Sequence, residues 1–341
     1  MALECILASM DGMTTAAFRS LCFEYGADGA VTEMIQASGF SRYKGRRSPV
    51  LEARVLRRPE EKHLAAQIIG SNPRMMAVAA ARLEALGRFD AIEINMGCPA
   101  RTVVGSGNGS AMLLNPRLAE EILRAVCAAV QLPVRLKLRL GWDEDHITAP
   151  ELARIAQDAG CAALILHGRT RAQQYSGEVS IENMLRVREA VQIPLFANGA
   201  VTRAEDVALF ARLTRADGVC IGRAALKNPW IFEDIRSLER GETPLRRDAA
   251  ERVSLLLRLA DRLCAQKPER FAIQEMRKFC QWYLGGLTGA DEIFERAKAT
   301  QDLAGFHALH EQYLDRLVQT NDLHIHPEHM PGETLDTVRR R

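Results

Sequence analysis

The chain has 341 residues, of which 47% are hydrophobic and 26% are charged, and its formal net charge at pH 7 is +2. This balance is typical of a globular protein with a sizeable core, and it excludes collagen, a coiled coil and a disordered chain. At roughly 150 residues per domain, the length favours about two domains, or a barrel with an appendage. No run approaches the ~18 apolar residues of a membrane span and no secretory signal pattern is present, so the sequence predicts a cytoplasmic protein with no membrane partner.

Eight short apolar runs recur between residues 1 and 235, each followed by a loop and an amphipathic stretch. Such near-continuous apolar runs are typical of strands buried on both faces of a parallel sheet. Eight strand–helix units predict an α/β fold of the (β/α)8 TIM-barrel type, and the lack of a G-x-G-x-x-G motif after the first run disfavours an open doubly wound sheet. The runs occupy residues 4–9, 29–34, 65–69, 91–95, 133–139, 162–167, 194–198 and 217–221.

Several intervening helices carry start signals. The pairs Asn72-Pro73, Asn115-Pro116 and Asn228-Pro229 each predict an Asn cap followed by Pro in the first turn. Thr202 with Glu205 predicts a capping box before the next helix.

The pattern changes after Pro244, where residues 246–266, 270–287 and 290–318 show helical periodicity without a strand-like run. We therefore predict a barrel domain over residues 1–240, a small all-helical domain over 245–320 and a C-terminal tail over 321–341. The tail carries His324, His326 and His329, but their spacing in a polar segment is poor support for a metal site. No metal is predicted.

Polar residues stand at the ends of the predicted strands. A barrel of this type builds its active site at the C-terminal ends of its strands, so these residues predict the site. They are Ser9, Met10 and Asp11, Glu33, Gln67, Asn95, Lys137 with Arg139, His167, Asn198 with Gly199, and Gly222 with Arg223.

Two features of this set favour a phosphorylated, electron-rich ligand. The Gly-rich turns after the last two strands can hold a phosphate through backbone N–H groups, together with Arg223. Lys137 inside the barrel needs an anion or an electron-rich partner. Flavin mononucleotide (FMN) supplies both, and a sugar phosphate is the alternative that the residues leave open.

Cys98 lies three residues beyond the end of the fourth run, in a loop that contains Gly105, Gly107 and Gly109. The glycines predict a mobile loop. The thiol can be a nucleophile, a metal ligand or a proton donor. An ordinary thiol pKa of about 8.5 keeps it mostly protonated at neutral pH, which suits a general acid. The alternative is an inert loop cysteine.

Seven sequence blocks form a combined pattern. They are ASMDGMTTAAFRSLCFEYGADGAVTEM (8–34), NMGCPARTVVGSGNGSAMLLNP (95–116), LKLRLGWD (136–143), LHGRTRAQQYSG (166–177), FANGAV (196–201), DGVCIGRAALKNPWIF (217–232) and EMRKFCQWYLGGLTG (275–289). Together these blocks resemble the FMN-dependent tRNA-dihydrouridine synthases of bacteria. The resemblance extends from Leu7 to about Gly305. It implies a flavin-binding catalytic barrel over 1–240 and a helical RNA-binding domain over 245–320.

The resemblance also implies roles. Cys98 would protonate C5 of a uracil in tRNA while reduced FMN delivers hydride to C6, and NADPH or NADH would regenerate the flavin. No stable protein partner is implied. FMN would contact Ser9, Met10, Asp11, Gln67, Lys137, His167, Asn198, Gly199, Ala200, Gly222 and Arg223. The RNA would contact Asn95, Arg139, Arg169, Arg171, Tyr175, Arg277 and Lys278.

The segment 41–58 carries seven basic residues and one acidic residue, and it is either an RNA contact or a solvated face. Three alternatives to a tRNA-modifying enzyme stay open. They are an FMN oxidoreductase for a free pyrimidine or another small enone, a dihydrouridine synthase for ribosomal RNA, and an RNA-binding protein without activity. The helical domain disfavours the first, because a free base needs no docking surface of that size.

Overall fold

The computed structural model describes residues 3–42 and 48–324, and the chain divides after Gly222 into two compact units. The first unit contains every described strand and the second is helical.

The first unit is a closed parallel barrel, which confirms the predicted (β/α)8 fold. Its strands are β1 (Glu4–Leu7), β2 (Gly29–Val31), β3 (Ile35–Gln36), β4 (Leu64–Ile69), β5 (Ala91–Met96), β6 (Val134–Arg139), β7 (Ala163–His167), β8 (Leu195–Asn198) and β9 (Gly218–Ile221). Eight of them follow the order β2-β1-β9-β8-β7-β6-β5-β4, and pairing of β2 with β4 closes the ring. The short β3 was not predicted; it extends the ladder beside β4.

The helices of this unit run between the strands. They are α1 (Ala16–Glu24), α2 (Ala37–Phe40), α3 (Pro49–Arg54), α4 (Pro73–Ala85), α5 (Arg101–Gly105), α6 (Pro116–Cys127), α7 (Ala149–Asp158), α8 (Ile181–Ala190) and α9 (Glu205–Thr214), with a 3-10 helix at Gly109–Leu114.

Two of the predicted helix starts in this unit are confirmed. The Asn72 side chain accepts a hydrogen bond from Met75 N at 2.9 Å, and Asn115 accepts one from Leu118 N at 3.1 Å. The capping box at Thr202 and Glu205 is wrong. Asp206 reaches back instead, and its carboxylate accepts hydrogen bonds from the backbone and side chain of Thr202.

The barrel interior is filled by side chains, as expected for eight strands. Ile6, Ile165, Phe196 and Cys220 form one buried cluster with neighbouring alanines. Gly218 makes room for it, because a Cβ there would lie 2.5 Å from the Phe196 ring. Burying each large apolar side chain stabilises the fold by about 1.5–3 kcal/mol before entropy is counted.

The second unit consists of α10 (Arg223–Lys227), α11 (Ile231–Glu239), α12 (Ala249–Cys264), α13 (Glu269–Leu284), α14 (Ala290–Ala299) and α15 (Leu303–Gln319). A capping box of Asp248 and Glu251 starts α12, which packs against α13 and α15. The third predicted helical stretch is two helices, because Thr300 is extended and Asp302 caps α15.

The predicted cap at Asn228 is wrong. Helix α11 begins at Ile231 after Trp230, and the Asn228 amide faces Asp234 instead. The division after Gly222 falls earlier than residues 240–245 because α10 packs against α13. The functional assignment of 1–240 and 245–320 stays a prediction, and most of the tail, residues 325–341, lies outside the described residues. None of the described helices is long and apolar enough to cross a membrane.

Candidate active site

The predicted site residues of the barrel meet because side chains alternate along each strand. On β6, Arg135, Lys137 and Arg139 share one face, and the apolar residues between them are buried on the other. The register aligns Lys137 with Asn95 on β5, and Arg139 with His167 on β7. Neighbouring strands therefore bring these polar side chains to one end of the barrel.

The structure places the other predicted residues as follows. Ser9, Met10 and Asp11 follow β1, Gln67 lies on β4, Asn198 ends β8, Gly199 and Ala200 follow it, and Gly222 follows β9. Arg169, Arg171 and Tyr175 lie in the loop after β7. Arg223 begins α10, and Arg277 and Lys278 lie on α13, all three in the second unit.

Lys137 is held by a hydrogen bond that fixes the direction of its ammonium group. Its Nζ donates to Asn198 Oδ1 at 3.0 Å, and Asn198 Nδ2 donates to the Cys220 carbonyl at 2.7 Å. The amide of Asn198 is buried, so its orientation is set from below by the backbone. A cation is thereby fixed at the barrel mouth, where it can stabilise negative charge on a ligand.

The turn after β8 approaches its neighbours closely. Gly199 has φ of +121°, and a Cβ there would lie 3.1 Å from the His167 ring, so a larger residue does not fit. Arg169 Nη1 donates to the Gly199 carbonyl at 2.6 Å and holds the turn in place. The turn after β9 is more open, since the atoms nearest to a Cβ on Gly222 are 3.8 Å away or more.

The segment after β1 is tied to neighbouring elements. Gly12 N donates to Glu33 Oε1 at 2.8 Å, and Asp11 pairs with Arg54 of α3 at 2.7 Å. Burial raises the pKa of Glu33, and the nearby Arg54 guanidinium opposes that rise. Within the described residues, the buried Ser9 hydroxyl has no hydrogen-bond partner.

Arg54 was missed as a site residue because it lies in the basic run 41–58. Two further described cations of the run also make internal contacts, since Arg57 donates to three backbone carbonyls and Arg58 pairs with Glu60, whereas Arg42 is exposed. This part of the run therefore favours internal contacts over an RNA contact. Tyr43, Lys44, Arg46 and Arg47 lie outside the described residues.

The loop that carries Cys98 is held from two sides. Asn95 Oδ1 accepts hydrogen bonds from Gly97 N and Cys98 N, both at 3.0 Å. The Cys98 carbonyl accepts from Ser110 N at 3.1 Å and from Ser110 Oγ at 2.8 Å. Gly105 ends α5, and Gly109 starts the 3-10 helix against the Cys98 carbonyl, while the mobility of this loop stays a prediction.

The pKa of the Cys98 thiol is raised, chiefly by burial. A hydrogen bond from the Ala100 backbone and the charges of Arg139 and Lys137 oppose the rise, while Asp11 adds to it. The thiol is therefore protonated at neutral pH, which suits a proton donor better than a nucleophile.

The Arg139 side chain donates hydrogen bonds to the loops around the mouth of the barrel. It is buried, and its guanidinium donates to the carbonyls of Gly97, Thr170 and Gln174. It also lies 5.4 Å from the ring centroid of Tyr175, which is 53% exposed. Arg139 thus supports the walls of the site, and Tyr175 is the exposed group above it.

A second cation–aromatic pair flanks the mouth. The Arg171 guanidinium lies 4.4 Å from the Trp142 ring centroid. Trp142 was missed at the sequence level, because the spacing of the two residues along the chain gives no signal of their contact. Contact of Asn95, Arg139, Arg169, Arg171 and Tyr175 with a substrate stays a prediction.

The fold and the site define a TIM-barrel protein with a protonated thiol at its mouth. The family model for dihydrouridine synthase (Dus) matches residues 6–319. The chain belongs to this family and is an enzyme of this type.

Three curated relatives carry the same name, tRNA-dihydrouridine synthase B. The protein of Pseudomonas syringae is 39% identical over 300 residues, which cover 87% of this chain and 88% of its own length. That of Pseudomonas aeruginosa is 40% identical over 298 residues, with the same coverage of both chains. That of Shewanella oneidensis is 37% identical over 321 residues, which cover 93% of this chain and 97% of its own length.

Proposed function

We propose that this protein reduces the C5–C6 double bond of specific uridines in tRNA to 5,6-dihydrouridine, with FMN as cofactor and NADPH or NADH as reductant. The observation that carries the proposal is the Cys98 thiol, kept protonated by burial and fixed beside the strand ends that hold Lys137 and Asn198. The names of the relatives support tRNA as the substrate.

The residues at the mouth fit FMN. The Ser9 hydroxyl lacks a partner within the described residues, the Lys137 ammonium is fixed at the mouth, and the backbone at Gly222 is open to a ligand. Gly199 keeps a second backbone surface clear. Residues proposed to hold FMN are Ser9, Met10, Asp11, Gln67, Lys137, His167, Asn198, Gly199, Ala200, Gly222 and Arg223.

When bound, reduced FMN supplies a hydride to C6 of the uracil, and NADPH or NADH restores the reduced form. The protein supplies the proton: Cys98 Sγ–H donates it to C5, so that the base gains two hydrogens and the thiol becomes a thiolate. Lys137 and Arg139 are the nearby cations that oppose the pKa rise of this thiol, so they also lower the cost of forming the thiolate. Solvent then returns the proton.

The uridine has to leave its stack to reach this thiol, which costs a few kcal/mol. Contacts to the RNA backbone offset that cost, and Arg277 and Lys278 on α13 are proposed to make some of them. Tyr175 is exposed enough to stack on a nucleotide at the mouth.

The experiment is reduction of unmodified tRNA by the purified protein with NADPH, followed by mass spectrometry of nucleosides. Cys98→Ala should keep the flavin absorbance and lose dihydrouridine formation, because the proton donor is gone. Cys264→Ala is the matched control, since this partly exposed thiol lies on α12 in the second unit. Turnover of free uridine or uracil as fast as tRNA would overturn the proposal in favour of a small-molecule oxidoreductase, and activity on ribosomal RNA alone would overturn its substrate.

A further inference from the structure

A row of hydrogen-bonded, buried polar side chains links the neighbouring strands β4 and β5. It begins at Glu93 on β5, whose side chain is fully buried and is not used in the proposed chemistry. Glu93 Oε1 accepts a hydrogen bond from Gln67 Nε2 at 2.6 Å, and Gln67 Oε1 accepts one from Asn95 Nδ2 at 2.8 Å. Asn95 Oδ1 in turn accepts from the backbone N–H groups of Gly97 and Cys98. A carboxylate is thus connected to the Cys98 loop through two side-chain amides.

The donor–acceptor order of these hydrogen bonds is fixed at both ends of the row. Backbone N–H groups only donate, so the Asn95 atom that faces them is the oxygen, and its nitrogen points to Gln67. Gln67 must therefore present its oxygen to Asn95 and its nitrogen to Glu93. An acceptor at position 93 completes the arrangement, and an apolar side chain there would leave a buried N–H group of Gln67 without a partner. A buried donor without an acceptor destabilises the folded state.

Packing alone does not explain a glutamate at this position. Burial raises the pKa of Glu93, which is the sign of a carboxylate that loses hydration in the folded protein. The charges of Lys137 and Arg135 and the hydrogen bond from Gln67 oppose the rise. An apolar residue would fill the same volume without this cost.

We propose that Glu93 is a positioning residue which, through Gln67 and Asn95, holds the Cys98 thiol in its partly buried position. The catalytic consequence rests on the proposed function, whereas the position of the thiol does not. Cys98 itself is surrounded by Arg139 and Lys137 of β6, by Asp11 of the segment after β1 and by the Ala100 backbone. When the chain of hydrogen bonds is cut, the loop loses the acceptor that orders its N–H groups, and the thiol becomes more hydrated.

The test compares three variants. Glu93→Met removes the acceptor at similar size, and Glu93→Gln removes the charge while keeping an oxygen that Gln67 can reach. Ile92→Val is the matched control on the same strand, because it points to the opposite face. The reaction of Cys98 with iodoacetamide is followed against pH, with the tryptic peptide of residues 89–101 quantified by mass spectrometry. Each protein is measured both with saturating FMN and without flavin, so that a change in flavin binding is separated from a change in the loop.

We expect Glu93→Met to lower the apparent pKa of Cys98 and to raise its alkylation rate at pH 7 about tenfold, since one pKa unit is a factor of ten in thiolate. Glu93→Gln and Ile92→Val should stay within about twofold of the parent. Equal reactivity of Glu93→Met and the parent would overturn the proposal. Equal reactivity of Glu93→Gln and Glu93→Met would also overturn it, because the effect would then come from the lost charge. A matching change in Ile92→Val would overturn it as well, because the effect would then come from loosening of the strand.

A second variant keeps the proposal testable if the Glu93→Met protein does not fold. Gln67→Met breaks the same chain one link nearer the loop and should raise thiol reactivity equally, and unchanged reactivity would count against the proposal. With tRNA as substrate, Glu93→Met should lower kcat more than it raises KM, and Glu93→Gln should restore at least half of the loss on a logarithmic scale. If the parent makes no dihydrouridine, the proposed function fails while the alkylation result still decides the role of Glu93.

Discussion

Cys98 combines a partly buried thiol with a backbone fixed by Asn95. A general acid works only in its protonated form, so its rate stays constant below the pKa and falls above it. Because burial raises this pKa, we expect kcat for tRNA to stay constant past the ordinary thiol value of about 8.5 and to decline only at higher pH. The measurement is kcat at saturating tRNA from pH 6.5 to 10. A decline that starts below pH 8 would contradict the assignment.

Arg19 and Glu61 form an ion pair in which neither side chain is exposed. Arg19 also donates to the carbonyls of Thr14 and Leu56, so it ties α1 to the segment before β4. Arg19→Met would leave the Glu61 carboxylate buried without its cation, and we expect the free energy of unfolding to fall by about 3–5 kcal/mol. Urea unfolding measures this. Arg117→Met, which removes an exposed pair with Glu121, should leave the midpoint unchanged.

The conformation of the loop between β5 and α6 depends on Gly109. Gly109 has φ of +58°, and a Cβ there would lie 2.8 Å from the Cys98 carbonyl oxygen and 2.9 Å from Val103. Gly107 also has a positive φ, of +75°, but nothing lies within 4 Å of its Cβ position. The two glycines therefore separate backbone strain from displacement of the loop.

Gly107→Ala should cost about 1–2 kcal/mol of stability and keep most activity. Gly109→Ala should lose at least tenfold in kcat beyond the effect at Gly107, because the Cys98 loop must shift. Thermal unfolding and tRNA turnover measure the two effects. Equal activities of the two variants would show that the position of the loop is not critical.

The elements themselves could be predicted well from the sequence, and the interactions within the site could not. Short apolar runs gave strand ends within three residues, because burial on both faces leaves no room for polar residues. Asn228 does not cap a helix because the capping preference of Asn reflects only its immediate neighbours in the sequence. The start of α11 is set instead by tertiary packing, in which Trp230 is buried in the helical unit. Glu93 was not predicted as a functional residue, because it lies in the middle of β5 and the prediction considered only residues at the C-terminal ends of strands.

The proposed proton donor, Cys98, belongs to the barrel unit, whereas two of the residues proposed to contact RNA, Arg277 and Lys278, belong to the helical unit. Lys278 on α13 is exposed and Arg277 is half-buried. We expect the double variant Arg277→Ala/Lys278→Ala to weaken tRNA binding and to leave the flavin spectrum unchanged. The slope of the logarithm of the binding constant against the logarithm of the salt concentration should fall in magnitude by about one for each lost phosphate contact. Fluorescence anisotropy at several salt concentrations measures this. Lys298→Ala on α14, which removes a cation paired with Glu295, is the control, and an equal loss there would argue against a specific surface.

The filled interior of the barrel has a consequence for where ligands bind. Ile6, Ile165, Phe196 and Cys220, from four neighbouring strands, pack together inside the barrel. Because its own side chains occupy this interior, a ligand is taken up beyond the strand ends, and the connecting loops decide which molecules this unit accepts.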